Sequence, residues 1–243
     1  MPTTRVCLLR HGETEANALG ILQGQSESNL TSLGQQQAHQ LGAALRARLD
    51  KEELTLPLCS TVYSSDLRRA SDTAKICIEE LAAHPSAPQP LALALESRLR
   101  ERRLGPFQGK AVNECTRLYP RLWAAFNTGD DQSLIAATDG ADGGCSVETS
   151  VEIDGRADAA LQYLVRKHPG ETILAVSHGG CIHTAVCVAT GADARRVPHI
   201  GNCSITTLEV TNGGTWRAVA VGERTGTVGD GPGQGANVDL GAP

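Results

Sequence analysis

The sequence predicts an α/β fold, a three-layer α/β/α sandwich around a mostly parallel central sheet. Short apolar runs of strand length alternate along the chain with longer segments that have apolar residues at helical spacing. This alternation is typical of strands joined by helices that cover both faces of a sheet. The chain has 243 residues, of which 40% are hydrophobic, so it can bury the core of a domain of this kind.

Six apolar runs are predicted to be strands, and the last two form a hairpin around Asn212-Gly213-Gly214. Their short length and the turn residues that flank them favour strands over helices. The predicted strands are residues 5–9, 60–65, 91–97, 172–177, 204–210 and 216–221.

Five segments are predicted to be helices from their apolar periodicity. Thr31 or Ser32 is the expected N-cap of the first, and Pro120 interrupts the third. Pro169-Gly170 ends the fourth. The predicted helices are residues 30–49, 66–83, 113–129, 147–168 and 181–190.

Two segments show no periodicity. Residues 127–147 are polar and rich in glycine, which predicts an unusually long loop of the kind that forms lids or is disordered. Residues 222–243 are also rich in glycine and are predicted to form a flexible C-terminal tail. We therefore expect a single domain over residues 1–221, followed by this tail.

The charge balance excludes some classes of partner. With 22 basic and 27 acidic residues the net charge is −5, which attracts neither nucleic acid nor an anionic membrane. No apolar run approaches the roughly 20 residues of a membrane span, and the first residues lack the apolar stretch of a signal peptide. We expect a cytoplasmic protein; the sequence gives no indication of its oligomeric state.

Eight cysteines are spread along the chain without a C-x-x-C pair, and several lie in apolar runs. This distribution predicts free buried thiols in a reducing compartment, rather than a disulfide framework or a zinc site. Neither a metal nor a cofactor is expected.

Two of the predicted strands end in the same way. The segments VCLLRHGE, residues 6–13, and ILAVSHGG, residues 173–180, run from apolar residues to a histidine followed by glycine. Ligands of open α/β sheets bind at the carboxyl ends of strands, so His11 and His178 are expected to meet there. Arg10 disfavours protonation of the neighbouring imidazole and can bind an oxyanion. The sequence therefore predicts an anion site.

Arginines also follow the second predicted strand. Arg68 and Arg69 lie on the first turn of the helix over 66–83, where a cation opposes the helix dipole unless an anion is bound. Salt bridges to Asp66 and Asp72 would account for one of the two arginines. The other is expected at the anion site.

A cluster of arginines surrounds Glu101 in the segment SRLRERRLG, residues 97–105. A solvated charged face is the ordinary interpretation of such a run. The alternative is a basic lip that binds substrate, with Glu101 as a general acid and base. This basic lip would consist of Arg98, Arg100, Arg102 and Arg103.

These motifs together resemble the signature of the histidine phosphatase superfamily, which is also called phosphoglycerate mutase-like. The similarity runs in order over nearly the whole chain, up to about residue 210. It rests on the segments LRHGET, LQGQSESNLTSLGQQQA, SSDLRRASDTA, RLRERRLGPFQGK, VSHGG and NCS. One departure concerns a Gly-Gly-Glu-Ser stretch, since Gly143-Gly144 is separated here from Glu148, which we match by its spacing from Arg156.

The resemblance implies a phosphoglycerate mutase-like fold and a phosphatase that uses no metal. It implies that His11 is the nucleophile and that Glu101 protonates the leaving oxygen and then activates water. The residues that it implies around the transferring phosphoryl group are Arg10, Arg69 and His178. The residues that it implies in the substrate pocket are Asn17, Gln23, Gly24, Arg102 and Gly179.

The predicted partner is a small phosphorylated substrate. The segments ILQGQ and RLRERRLGPFQGK most resemble the TIGAR-like fructose-2,6-bisphosphatase branch, and the basic lip suits a second phosphate. This resemblance predicts a sugar bisphosphate such as fructose 2,6-bisphosphate. A cofactor-dependent phosphoglycerate mutase is the alternative, although such mutases usually carry a longer insertion than the 46 residues between Glu101 and Glu148.

Three more distant hypotheses remain. A metallohydrolase could use His11, His178 and Glu101 as ligands, but arginines at the site would repel a divalent cation. A phosphotyrosine protein phosphatase would need an open pocket. A non-catalytic module could bind a phosphorylated ligand or partner.

Overall fold

The centre of the fold is a six-stranded sheet. The computed structural model describes residues 3–50, 57–138, 146–211 and 213–225. The strands are β1 Thr3–Arg10, β2 Leu58–Ser64, β3 Ala92–Leu95, β4 Thr172–Ser177, β5 Ile205–Thr211 and β6 Trp216–Glu223. Their order is β3-β2-β4-β1-β5-β6, and β5 alone runs in the direction opposite to the other five strands. The predicted mostly parallel sheet is confirmed.

Helices cover both faces of this sheet. The α-helices of the described residues are α1 Glu15–Ala18, α2 Ser32–Asp50, α3 Arg68–Ala82, α4 Val112–Leu118, α5 Pro120–Thr128, α6 Asp131–Thr138, α7 Ser150–Lys167 and α8 Gly179–Thr190. Helices α2 and α3 pack on one face, and α7 and α8 pack on the other. The predicted three-layer α/β/α sandwich is therefore confirmed.

Strand β1 shows why the sequence forms this arrangement. Val6 and Leu8 pack against α7 and α8, whereas Cys7 and Leu9 pack against α2 and α3. Successive side chains of a strand point to opposite faces, and none of these four is more than 1% exposed. A strand that is buried on both faces has to be apolar without interruption, and each fully buried Leu or Val stabilises the fold by about 1.5–3 kcal/mol.

A separate aromatic cluster lies outside the two main layers. Phe107, Trp123 and Phe126 pack together with residues of α4, α5 and α6. The predicted interruption near Pro120 is confirmed, since α4 ends at Leu118 and α5 begins at the proline. Proline is favourable there because the first residue of a helix has no intrahelical partner for an N–H.

The prediction of a long loop over residues 127–147 is wrong in the middle of that range, where the chain forms α6. Leu134 of this helix is 1% exposed in the aromatic cluster. Asp130 accepts a hydrogen bond from the Ser133 N–H at 3.0 Å, and the Asp131 carboxylate accepts two from the first turn of α7. Tertiary packing thus stabilises a helix too short to form alone. Residues 139–145 lie outside the described residues.

Strand β6 ends at Glu223, two residues later than the predicted strand over residues 216–221. The Gly222 N–H donates to Thr206 Oγ1 at 3.0 Å, and Glu223 pairs with Arg48 at 2.8 Å. Residues 226–243 of the predicted tail lie outside the described residues, as does Asn212 in the β5–β6 hairpin. Among the helices of the described part of the chain, none is long and apolar enough to cross a membrane.

Two helical glycines give a test of how closely α2 packs against the segment that follows β1. A methyl group at Gly34 in α2 would overlap the Glu13 carbonyl oxygen, whereas one at Gly155 in α7 would meet nothing within 4 Å. We expect Gly34→Ala to lower the free energy of unfolding by about 1–3 kcal/mol through overpacking. Gly155→Ala should raise it by about 0.5–1 kcal/mol through helix propensity.

Urea unfolding of the two variants and the unmodified protein measures both effects. Equal destabilisation by both substitutions, or stabilisation by Gly34→Ala, would contradict this account of the close approach.

Candidate active site

The register of the sheet brings the two histidines together. Strands β1 and β4 are parallel, and Arg10 pairs with Ser177. The next residue of each chain segment is a histidine, and the His11 N–H donates to the Ser177 carbonyl oxygen at 3.1 Å. The ring centroids of His11 and His178 lie 5.1 Å apart, and the side chains are 3% and 0% exposed.

The backbone fixes the proton of His11. Its Nδ1 lies 2.7 Å from the Gly12 carbonyl oxygen, and because a carbonyl only accepts, Nδ1 carries the proton. The other ring nitrogen, Nε2, then has the free lone pair. Asn202 Nδ2 donates to the His11 carbonyl oxygen at 2.8 Å and holds the residue in place. His11 is thus oriented with the lone pair of Nε2 available.

His178 has the opposite tautomer. Arg69 Nε donates to its Nδ1 at 3.2 Å, so the proton of the neutral ring lies on Nε2. This Nε2–H donates to Ser65 Oγ at 2.8 Å. The ring is therefore held by one partner on each nitrogen.

Both imidazoles are neutral at physiological pH. Burial lowers the pKa of His11 well below 6.5, and the charges of Arg69 and Arg10 lower it further. Burial also lowers the pKa of His178 well below 6.5, with further contributions from Arg69, His11 and Arg10. Burial lowers the pKa of Arg69 to about 10, so that its guanidinium stays charged at pH 7. The positive charge of the site comes from arginine.

The structure distinguishes the two arginines of α3. Arg69 is 1% exposed and donates to the carbonyl oxygens of Ser26 at 2.8 Å and Gly24 at 2.7 Å. Arg68 instead points outward and lies 3.6 Å from Asp72. Arg69 therefore joins the histidines to the loop that contains Gly24.

Arg10 lies against the first turn of α8. Its Nη1 donates to the Ile200 carbonyl oxygen at 2.5 Å. A methyl group at Gly179 would lie 3.6 Å from the Arg10 guanidinium carbon. This helix begins at Gly179 and not at the predicted residue 181, so its N-terminal N–H groups lie directly beside the histidine pair.

Glu101 is bound by the same helix turn. Its Oε1 accepts hydrogen bonds from Arg102 N at 2.8 Å and Cys181 N at 3.1 Å, and its Oε2 accepts one from Gly180 N at 3.0 Å. A carboxylate has about four acceptor positions, so one position on Oε2 remains for a proton of substrate or water. A methyl group at Gly180 would lie only 2.5 Å from Oε1, which explains the second glycine.

Three of the predicted pocket residues lie near the start of the chain. Asn17 Oδ1 accepts from Thr14 N at 3.2 Å in the cap of α1, which leaves its Nδ2 amide to donate to a ligand. Gln23 Oε1 is buried, and no hydrogen-bond partner lies among the described residues. Gly24 has φ +51°, a left-handed conformation that directs its carbonyl to Arg69 and favours glycine.

Arg102 is buried at the border between the site and the aromatic cluster. It is 5% exposed, its Nε donates to the Glu148 carbonyl oxygen at 2.8 Å, and its guanidinium carbon lies 4.6 Å from the Phe126 ring centroid. Burial lowers its pKa. Its assignment to the substrate pocket stays a prediction.

The other three arginines of the basic lip do not form a surface of unpaired cations. Arg98 binds Glu96 with two hydrogen bonds at 2.8 and 2.6 Å, and Arg100 binds Asp66 at 2.7 and 2.5 Å. Arg103 donates to the Ser146 carbonyl oxygen at 2.8 Å and lies 3.9 Å from Glu152. These contacts favour the charged-face interpretation over the four-arginine lip, because nearby acceptors already engage these three arginines.

Comparison with known proteins agrees with this geometry. The sequence matches the histidine phosphatase superfamily (branch 1) over residues 6–224. The chain belongs to this family. It is similar to phosphoglycerate mutase-like protein 4 of Arabidopsis thaliana, with 33% identity over 211 residues that cover 87% of this chain and 81% of that protein.

Two further relatives are named as phosphatases. The metal-independent phosphoserine phosphatase of Arabidopsis thaliana is 34% identical over 191 residues, which cover 79% of this chain and 71% of that protein. The structure of mycobacterial glucosyl-3-phosphoglycerate phosphatase in complex with VO3 has a TM-score of 0.69, with 26% identity and coverage of 90% and 99%. This chain is an enzyme of the histidine phosphatase type.

Sequence reasoning missed the residues that hold Glu101 and the two histidines of the candidate site in place. Arg156 binds both carboxylate oxygens of Glu148 at 2.8 Å. The same guanidinium donates to the carbonyl oxygens of Arg98 at 2.9 Å, Arg100 at 2.7 Å and Glu101 at 3.3 Å. In the sequence, only the spacing between Glu148 and Arg156 indicated that these two residues are related. Ser65 and Asn202 lie in the matched motifs SSDLRRASDTA and NCS, but the sequence indicated no role for either.

The depressed histidine pKa values predict a loss of stability in acid. Both rings are neutral in the folded protein but titrate near pH 6.5 when unfolded. Below pH 6.5 the unfolded chain binds more protons, so the free energy of unfolding falls as the pH falls, with a slope that approaches about 1.4 kcal/mol per pH unit for each histidine well below pH 6.5. Urea unfolding between pH 5.5 and 7.5 measures this slope.

His11→Asn should remove one histidine's share of that dependence, about 1.4 kcal/mol in total between pH 7.5 and pH 5.5. His39→Asn is the control, because His39 is exposed on α2 and pairs with Glu80. An unchanged slope in His11→Asn would show that His11 is not held neutral by the fold.

Replacing Arg156 tests whether its hydrogen bonds to the backbone around Glu101 hold that residue in position. Lysine keeps the charge but cannot bind a carboxylate and three carbonyl oxygens together. We expect Arg156→Lys to lower kcat by about 10²-fold with little change in KM, because Glu101 loses its position. Arg195→Lys is the matched control, since Arg195 also binds a carboxylate, Asp193, but on the surface. A loss confined to KM would argue against positioning of Glu101.

Proposed function

We propose that this protein hydrolyses a small phosphomonoester without a metal, through a phosphohistidine at His11 Nε2. The observation that carries the proposal is a buried imidazole whose proton is held on Nδ1 by Gly12. Its other nitrogen is a free nucleophile, and the charges of Arg10 and Arg69 act on the same ring. A neutral nucleophile beside fixed cations suits attack on a phosphate dianion.

The first half of the reaction transfers the phosphoryl group to the enzyme. Phosphoryl transfer depends chiefly on positioning and on stabilising the charge of the equatorial oxygens, for which Arg10 and Arg69 supply cations. His11 Nε2 attacks phosphorus in line with the ester oxygen, and the P–O bond breaks. Glu101, protonated at Oε2, gives its proton to the departing oxygen. The product alcohol then leaves.

The second half returns the enzyme to its starting state. The Glu101 carboxylate accepts a proton from water, and the water oxygen attacks phosphorus. The P–N bond breaks, its electron pair returns to His11 Nε2, and phosphate leaves. Glu101 is protonated again for the next turnover.

The substrate is best sought among small metabolites with one phosphate. The named relatives act on phosphoserine and glucosyl-3-phosphoglycerate, both of which also carry a carboxylate. Arg98 and Arg100 already bind carboxylates, and Arg103 binds a carbonyl oxygen. These arginines are therefore less available to bind a second phosphate of the substrate. Fructose 2,6-bisphosphate, predicted from the sequence, therefore ranks below these monophosphates but belongs in the same test.

The experiment measures phosphate release by the purified protein in EDTA. We expect turnover of at least one monophosphate, unchanged by EDTA, and a loss of at least about 10³-fold in His11→Ala, as for other nucleophiles. His39→Ala is the matched control. Brief incubation with substrate should give an acid-labile, alkali-stable phosphate on the unmodified protein but not on His11→Ala.

The outcomes separate the rival functions. A requirement for a divalent metal in turnover would overturn the proposal in favour of a metallohydrolase. Isomerisation of 3-phosphoglycerate without phosphate release would identify a mutase, which the relative of that name makes the second candidate. Binding of phosphate esters without turnover or phosphohistidine would indicate a non-catalytic module.

A further inference from the structure

A thiol, an imidazole and a carboxylate meet at the edge of the sheet opposite to the phosphatase site. Cys59 lies at the start of β2, His168 follows α7, and Glu171 directly precedes β4. Strand β4 separates Glu171 from His178, and its six residues span roughly 20 Å at about 3.3 Å per residue. The cluster is therefore outside the catalytic machinery.

The three side chains converge on one ring nitrogen. Cys59 Sγ lies 3.2 Å and Glu171 Oε2 lies 3.0 Å from His168 Nδ1. The Cys59, His168 and Glu171 donor atoms all lie within 4.8 Å of one another. Cys59 is 2% exposed, whereas the Glu171 side chain is 39% exposed and leaves the cluster open to solvent on one side.

The other nitrogen of His168 has its own partner. Tyr63 is 1% exposed, and its hydroxyl lies 2.8 Å from His168 Nε2. A histidine that binds a metal nearly always donates its second ring N–H to an oxygen, which fixes the tautomer and the ring orientation. In this structure the Glu171 carboxylate accepts from Nδ1–H and the Tyr63 hydroxyl donates to Nε2. A shift of that ring proton to Nε2, where Tyr63 can accept it, frees the Nδ1 lone pair for a metal.

The same contacts argue against a catalytic thiol. In a Cys–His–acid relay, the thiol and the acid bind different ring nitrogens, because the ring passes a proton between them. Here both lie closest to Nδ1, and Tyr63 holds Nε2. Donor atoms that converge on one point suit a metal ion better than a proton relay.

We propose that Cys59 Sγ, His168 Nδ1 and Glu171 Oε2 bind one zinc ion, with water as the fourth ligand. Zinc at about 2.3 Å from sulfur and about 2.0–2.1 Å from nitrogen places tetrahedral ligand atoms roughly 3.3–3.7 Å apart. The observed separations of 3.2 and 3.0 Å need a small expansion. Cys59 Sγ also lies 3.7 Å from Nε2, so zinc binding requires a turn of the imidazole that brings the Nδ1 lone pair toward the thiolate. On binding, Cys59 releases its proton to solvent.

The charges of the three ligands balance the ion. A thiolate and a carboxylate carry two negative charges, which neutralise Zn²⁺, while the imidazole binds as the neutral ring. A nearby positive charge that opposes binding of a cation is Lys167, whose Nζ lies 5.5 Å from the Tyr63 ring centroid. Sulfur and imidazole ligands select zinc over magnesium or calcium.

The ion would be structural, since it would join β2 to the turn between α7 and β4. These segments already touch where Thr172 N donates to the Pro57 carbonyl oxygen at 2.7 Å. A zinc ion that binds only the folded chain adds to its stability. The role is distinct from catalysis, so removal of the ion leaves metal-independent turnover intact at temperatures where the protein stays folded.

The test uses the full chain, stripped with a chelator and kept reduced, with zinc chloride and cobalt chloride as probes. We expect one zinc per chain by elemental analysis. Cobalt should give a thiolate-to-cobalt charge-transfer absorption together with the intense visible bands of tetrahedral coordination. At zinc a hundredfold above its dissociation constant, the melting temperature should rise by roughly 5–10 °C.

Variants locate the ion. Cys59→Ser should abolish the cobalt–thiolate band, and His168→Gln should abolish stoichiometric binding. Tyr63→Phe should keep one zinc but weaken affinity by about 10–100-fold, as for other partners of metal-binding histidines. Cys187→Ser is the matched control, because Cys187 Sγ lies 3.9 Å from His183 Nδ1, but that pair is not part of a three-donor group within the described residues.

Each outcome decides the proposal. One zinc in Cys187→Ser and in His11→Ala, with loss of the thiolate band in Cys59→Ser, supports it and places the ion away from the catalytic histidines. Absence of stoichiometric zinc, a cobalt spectrum without the thiolate band, or unchanged binding in folded Cys59→Ser or His168→Gln would overturn it. Loss of the ion in His11→Ala would assign the metal to the phosphatase site instead.

Discussion

The parallel register between β1 and β4 is the constraint on which the rest of the site depends. It pairs Arg10 with Ser177, so that the next residue of each segment is a histidine at the carboxyl edge of the sheet. A shift by one residue would turn every side chain of a strand to the opposite face. Because β1 is buried on both faces, the packing of its apolar residues fixes this register, and the histidine pair depends directly on the core.

The first turn of α8 gathers the remaining groups around that pair. His178 is its N-cap, Gly179 contacts the Arg10 guanidinium, and the N–H groups of Gly180 and Cys181 bind the Glu101 carboxylate. N–H groups at the start of a helix lack intrahelical partners. The helix therefore binds a carboxylate with donors that the fold supplies without further side chains, and glycine at its second position, Gly180, permits the close approach of Glu101.

Electrostatics gives these groups different functions. The histidines are desolvated and adjoin arginines, so they are neutral. The arginines beside the histidine pair are buried, whereas Arg98 and Arg100 on the adjacent segment are neutralised by acidic partners. Positive potential is thereby concentrated at one point, which suits a single phosphoryl group better than an extended polyanion.

The sequence by itself determined the α/β sandwich and the two histidine strand ends, because apolar periodicity and short motifs are local signals. The resemblance of its motifs to the family selected Arg69 over Arg68. Only the tertiary structure decided the tautomers of His11 and His178, the helix α6, and the ion pairs that engage Arg98, Arg100 and Arg103. It also brought Cys59 and His168 together across 109 residues. Those features arise from contacts between distant segments, and neither spacing nor composition records which segments the fold makes neighbours.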